Sequence, residues 1–290
     1  MKMIKKNFTL FELLISIALL VVLSVVLLRT MVLTADFWHY SNEQTNLYLD
    51  SKIVFNMLGE EISNIVYDCK NYGYNNSEDV KLVAPLFFQE NSITEKAFNR
   101  NGEDSNAKRK ALYFVSHTRR DNADTDKSDI CKITYQYYPP LKIDSDGYNV
   151  FESNGNVPSK GKNGVLVRKV VNIDDSKGNL VSSQQNKDFF DANGTSNLKE
   201  VIDGIIDFQI HFYKQGEVNP TSAPSSKDDY EKLSAIRVSM TLLPSNRMEE
   251  FRKNYLSAAA ADKRHFLLKY SRTFSRTFWV NPMGDIKEGE

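Results

Sequence analysis

At 290 residues the chain has room for one large domain or two small ones, and its 37 Lys and Arg balance its 37 Asp and Glu. That balance removes the global basic field expected of a nucleic-acid binder. Two cysteines are too few for a disulfide scaffold, and four scattered histidines (His39, His117, His211, His265) form no metal-ligand spacing.

The first element is apolar. Phe8 to Leu28 reads FTLFELLISIALLVVLSVVLL, which as a helix spans roughly 31 Å, close to the hydrocarbon thickness of a bilayer. Lys2, Lys5 and Lys6 precede it and Arg29 follows, so the positive-inside bias puts the N-terminus in the cytoplasm and the rest outside. A secretory signal peptide would have a shorter apolar run and a better cleavage site than Leu33-Thr34-Ala35. A plain signal anchor accounts for length and lysines. Glu12 needs a further reason, because a carboxylate inside the apolar stretch costs about 2–3 kcal/mol on insertion. Snorkelling to the nearby interface is one such reason.

Lys6-Asn7-Phe8-Thr9-Leu10-Phe11-Glu12 before an unbroken apolar run resembles the signal of type IV prepilins and pseudopilins. The resemblance implies a prepilin peptidase that cuts between Asn7 and Phe8 and N-methylates Phe8, leaving the helix attached. Asn7 stands where that family has glycine. Cleavage would remove Lys2, Lys5 and Lys6 from 37 basic residues set against 37 acidic ones, a net of −3. It also implies that Glu12 pairs with the N-terminal amine of a neighbouring subunit, a contact that would fix axial register.

No proline occurs before Pro85, and Gly59 is the only glycine before Gly73. Leu47, Val54, Leu58, Ile62 and Ile65 fall on one helical stripe, opposite Glu43, Asp50 and Glu60. One helix is expected from about residue 8 to 68, roughly 90 Å long. Residues 8–29 would be its transmembrane half, after a leader of residues 1–7, and residues 30–70 its extracytoplasmic half. Asn71-Tyr-Gly-Tyr-Asn-Asn then ends it. Residues 71–290 should form a β-rich domain.

Alternation predicts strands at Val80–Phe88, Ala111–Ser116, Ile130–Tyr138, Val165–Val171, Ile205–Tyr213, Ser234–Leu242 and Thr273–Val280. Ile206, Phe208, Ile210 and Phe212 share one face, so half-buried antiparallel strands are expected, covered by the long helix. Polar segments 99–110, 118–129, 153–164, 172–199 and 214–229 read as surface loops. A further helix is expected near 245–269, with Asn246 and Glu249 as a capping box and Ser257-Ala-Ala-Ala-Ala inside it.

The expected fold is therefore α+β: a pilin-like fold, with a long N-terminal helix against an antiparallel β-sheet domain. Leu47–Asp68 with Glu60-Glu61, Val165-Leu-Val-Arg168, Leu198–Tyr213 and Leu233–Leu243 resemble, in that order, minor pseudopilins of the GspJ/PulJ type of type II secretion, with a PilW-like minor pilin second. The insertion at Ser245–Lys269 departs from that pattern. The resemblance implies a structural subunit with no catalytic residue. Its partners would be the prepilin peptidase, other minor pseudopilins, the filament and an inner-membrane assembly platform. A membrane-anchored binding protein that never assembles is the alternative.

Asp144-Ser-Asp-Gly147 invites a calcium reading, but an EF-hand register puts Lys142 and Ser153 at ligand positions, which leaves an acidic turn. Asp121, Asp124, Asp126 and Asp129 form another acidic loop, solvated or holding calcium as some pseudopilins do. No cofactor, nucleophile–base pair or phosphate loop is legible. Cys69 and Cys131 could bridge the helix end to a strand, or be unrelated thiols. Tyr135, Tyr137 and Tyr138, beside Pro139-Pro140, read as core, with a contact surface as the other possibility.

Overall fold

The computed structural model describes residues 9–65, 86–117, 130–140, 164–172, 199–224, 229 and 232–280. One long helix, α1 (Leu10–Ser63, 54 residues), is followed by antiparallel strands, so the class is α+β. The chain divides into two units, Met1–Tyr48 and Leu49–Glu290.

In the first unit the helix is bare. Leu10, Leu19 and Leu28 are each more than 60% exposed, and the stretch is long and apolar enough to cross a membrane. Its hydroxyls satisfy themselves within the helix. Ser16 Oγ donates to Glu12 O and Ser24 Oγ to Leu20 O, both at 2.8 Å, while Thr34 Oγ1 donates to Thr30 O at 2.7 Å. In hydrocarbon such back-bonding removes the need for a partner.

In the second unit the expected stripe is inward: Val54, Leu58, Ile62 and Ile65 are buried, with Asp50 and Glu60 exposed. The helix ends at Ser63, and Ile65 bridges to Ser116 instead of extending it. The expected end near 68 lies outside the described residues.

The strands form two sheets, not one. The larger has the order β1 (Leu86–Phe98), β2 (Asp104–His117), β3 (Ile130–Tyr138), β4 (Val165–Asn172), β5 (Lys199–Asp203). The smaller has β6 (Ile205–Lys214), β7 (Leu233–Leu242), β8 (Arg272–Trp279). Gly164 and Gly204 make the junction. Gly164 has φ +73°, its carbonyl accepts from Ile205 N at 3.1 Å, and a Cβ there would lie 1.9 Å from Ile205 O. Only glycine tolerates both the conformation and the approach.

Several expectations need correction. Residues 104–110 are strand and not loop: β1 and β2 form a long hairpin turned by Asn99, whose Oδ1 accepts from Asn101 N and Glu103 N. A charged run at a solvated hairpin end alternates like any strand, and Lys108 reaches Glu90 across it at 2.5 Å. The edge strand β5 falls at the end of an expected loop; it is short and charged, as edges often are. The single helix near 245–269 is two, α2 (Ser245–Tyr255) and α3 (Ala260–Tyr270). A straight helix would hold Phe251 and Phe266 about 22 Å apart, yet their rings lie 5.7 Å apart. Burying that aromatic pair, with Phe98, Met248 and Leu267 in one cluster, overrides the alanine run. Pro244 sits at the α2 cap without a side-chain bond, and Asn246 Oδ1 accepts from Arg247 N, so the Asn246/Glu249 capping box is absent.

Candidate functional site

Two constellations on α1 carry the functional argument. The first opens the helix. Thr9-Leu-Phe-Glu12 is a capping box: Glu12 N donates to Thr9 Oγ1 at 3.3 Å, and Glu12 Oε2 accepts from Thr9 N at 2.9 Å and Thr9 Oγ1 at 3.0 Å. Orphan amides at a membrane helix end are costly, so this gives Glu12 a local task of its own. The T-x-x-E spacing was legible in the sequence. Glu12 Oε1 has no partner among the described residues. Asn7 and Phe8, the expected cleavage and methylation positions, lie outside the described residues.

The helix also carries an aromatic pair that sequence reading passed over. Phe37 and Trp38 are each 72% exposed. From Leu10 to Trp38 the helical rise is about 42 Å, the thickness of a bilayer with its headgroups, and that is where membrane helices place such rings.

The second constellation is buried near the other end of α1. Glu61 is 3% exposed and sits in the last turn, where helix carbonyls already concentrate negative charge and no basic residue answers them. The answering charge comes from β4. Arg168 Nη2 donates to Glu61 Oε1, Tyr135 OH on β3 donates to Glu61 Oε2, and Ser116 Oγ on β2 donates to Glu61 O at 2.8 Å. Tyr135 lies opposite Arg168 in register and stacks with Phe114 at 6.2 Å. Burial, then the Glu61 charge, pushes the Tyr135 phenol well above its ordinary value, so it stays a donor. Three strands are thus pinned to one helix turn. Glu60-Glu61 and Val165–Arg168 stood apart as sequence features; their meeting, 107 residues apart, had no local signal.

The remaining expectations divide. Tyr135 and Tyr137 are buried as expected, and Tyr137 OH donates to Ile206 O at 3.0 Å. Cys131 is buried on β3, but Cys69 and the bridge lie outside the described residues. Asp121, Asp124, Asp126, Asp129 and Asp144–Gly147 also lie outside them. Among the described residues no group of three His, Cys, Asp or Glu could hold a metal ion. His39 and His265 are exposed, and His211 sits on β6. No protein-family model matches the chain, and no curated protein matches it.

Proposed function

We propose that the chain is a minor pseudopilin or minor pilin, a structural subunit of a type II secretion or type IV pilus-like machine. The carrying observation is the N-terminus of α1: a capped apolar helix begins within three residues of the Asn7–Phe8 step and runs on into a β-rich domain. On this reading the chain sits in the inner membrane with residues 1–7 cytoplasmic and the sheets outside. Parallel packing of long helices joins it to other subunits at a filament tip. The work is mechanical and uses no catalytic residue. A load on the helix reaches the five-stranded sheet through Glu61, Arg168 and Tyr135, and Glu12 Oε1 can meet a neighbour's amine while Oε2 keeps the cap.

Mass spectrometry of the mature N-terminus tests the reading. N-methylated Phe8 is expected. An intact leader points to a membrane-anchored binding protein, and a start after Ala35 removes both. Glu12→Ala should lower incorporation into filaments or minor-subunit complexes; normal incorporation would rule out the charge pairing.

A further inference from the structure

Each of the two sheets has two edges, and an edge strand presents unpaired N–H and C=O groups to any extended chain. Three of these edges are blunted. The register of β1 breaks between Ser92 and Lys96. β5 has only five residues, with Lys199, Glu200 and Asp203 among them. β6 is bridged by Thr221, whose N donates to Phe212 O at 2.8 Å. β8 is different. It pairs with β7 through all eight of its residues without a bulge, and it contains no proline, lysine or carboxylate.

Register shows which backbone groups of β8 are left over. Val280 N donates to Ser234 O at 3.0 Å, and in an antiparallel ladder such bonded pairs recur at every second residue. Phe278, Arg276 and Phe274 therefore bond to β7, opposite Ile236, Val238 and Met240. Thr273, Ser275, Thr277 and Trp279 turn their N–H and C=O groups the other way, where no described strand pairs with them. Thr273 and Ser275 are exposed, and Trp279 is 72% exposed.

Charge indicates what this edge accepts. Arg276 lies on the helix-facing side of β8, where its Nη1 donates to Asn56 Oδ1 at 2.8 Å. Arg237 lies on the other side, where its Nε donates to Thr277 Oγ1 at 3.2 Å. Both bonds go to neutral oxygens, and neither guanidinium meets a carboxylate among the described residues. An added strand would run ~4.8 Å from β8, close enough for its side chains to reach both arginines. A second copy of β8 would bring like charges to the same place.

We propose that the outer edge of β8 takes up an extended acidic segment of another protein as a fourth, antiparallel strand. Adjacent carboxylates lie opposite Thr277 and Arg276, and an apolar residue covers Trp279. Backbone pairing supplies the affinity and the side chains select the partner. The inference stands apart from the pilin-like reading, because β8 offers this edge however the N-terminus is processed.

The test follows the anisotropy of a labelled, end-capped peptide, TTVTEETTT, added to the full-length protein in detergent micelles. It should bind saturably, and a version with two lysines for the glutamates should bind at least about tenfold more weakly. The double variant Arg237→Gln/Arg276→Gln should weaken binding by about fivefold to tenfold. Ser275→Pro removes an outward N–H and keeps the ladder to β7, so it should abolish binding while near-UV circular dichroism is unchanged. On wild type, N-methylation of the peptide at valine and the first glutamate should also abolish binding, and at the threonine between them should not. Absence of saturable binding to folded wild type would overturn the proposal, as would equal binding of the lysine peptide or of the doubly N-methylated one. So would a dimer in micelles that Ser275→Pro dissolves, which would make a second copy the occupant.

Discussion

Replacing Arg168 by methionine keeps an unbranched apolar stem and deletes the guanidinium and its charge. Glu61, 4% exposed at its side chain, would then face Tyr135 alone in a site whose former cation was itself only 15% exposed. Removing one partner of a buried pair costs about 3–5 kcal/mol. The deficit of Arg168→Met should therefore be about 3–5 kcal/mol at pH 7. The double variant Glu61→Leu/Arg168→Met should lie within about 1–2 kcal/mol of wild type, because it removes both charges of the pair together. Urea unfolding of the full-length protein in micelles at pH 7, read by near-UV circular dichroism for wild type and both variants, gives these values. A deficit under about 1 kcal/mol at pH 7, or a double variant as unstable as the single one, would refute the reasoning.

Tyr135 and Tyr137 are both buried, and burial first, then Glu61 and Asp207 respectively, raises each phenol above its usual range. Unfolded phenols lose their protons first, so stability is intact below about pH 10 and falls above it, by about 1.4 kcal/mol per pH unit for each group. Tyr135→Phe should remove one share of that slope in denaturant melts between pH 10 and 11. Gly164→Ala should cost at least about 3 kcal/mol, since its Cβ would strike backbone. Gly216 shares the left-handed conformation but has nothing within 4 Å, so Gly216→Ala should cost only about 1–2 kcal/mol in the same melts. Partial burial, then the Asp203 charge, raises the Asp50 carboxyl. A raised carboxyl weakens folding once ionised, so Asp50→Asn should raise the melting temperature at pH 7, with the gain fading as pH falls through the carboxylate range.

Periodicity made much of this fold legible. Val54, Leu58 and Ile62 announced the packed helix face, and the alternation around Phe208 and Val238 announced β6 and β7 within a residue of their ends. The signal failed where packing or distance decided the outcome. Lys108, Arg109 and Lys110 read as loop because their composition is polar, although the strand needs only alternation and a partner in β1. Ser257-Ala-Ala-Ala-Ala favours helix locally, yet stacking among Phe251, Tyr255 and Phe266 bends the chain there. Arg237 and Thr277 meet at the β8 edge only after register is set, which no single segment encodes. The Thr9–Glu12 box is local, and its T-x-x-E spacing at the head of an apolar run is by itself a helix-start signal.

Gly59 sits where the ring of Phe278 comes within 3.1 Å of the space a Cβ would fill, and Arg276 Nη1 donates to Asn56 Oδ1 at 2.8 Å, across 220 residues of sequence. One of the last strands is therefore laid on one of the first turns of the domain. A chain made from its N-terminus exposes Val54, Phe55 and Leu58 long before β8 exists to help cover them. At ribosomal speed that interval is roughly ten to forty seconds. Contacts this far apart in sequence also close slowly, because the loop must be ordered before they repay it. The helix stripe is thus a sticky surface during synthesis, and a chain clipped before Arg272 would lack the part of its cover that Phe278 supplies. Arrival of β8 is the event that closes this face of the helix.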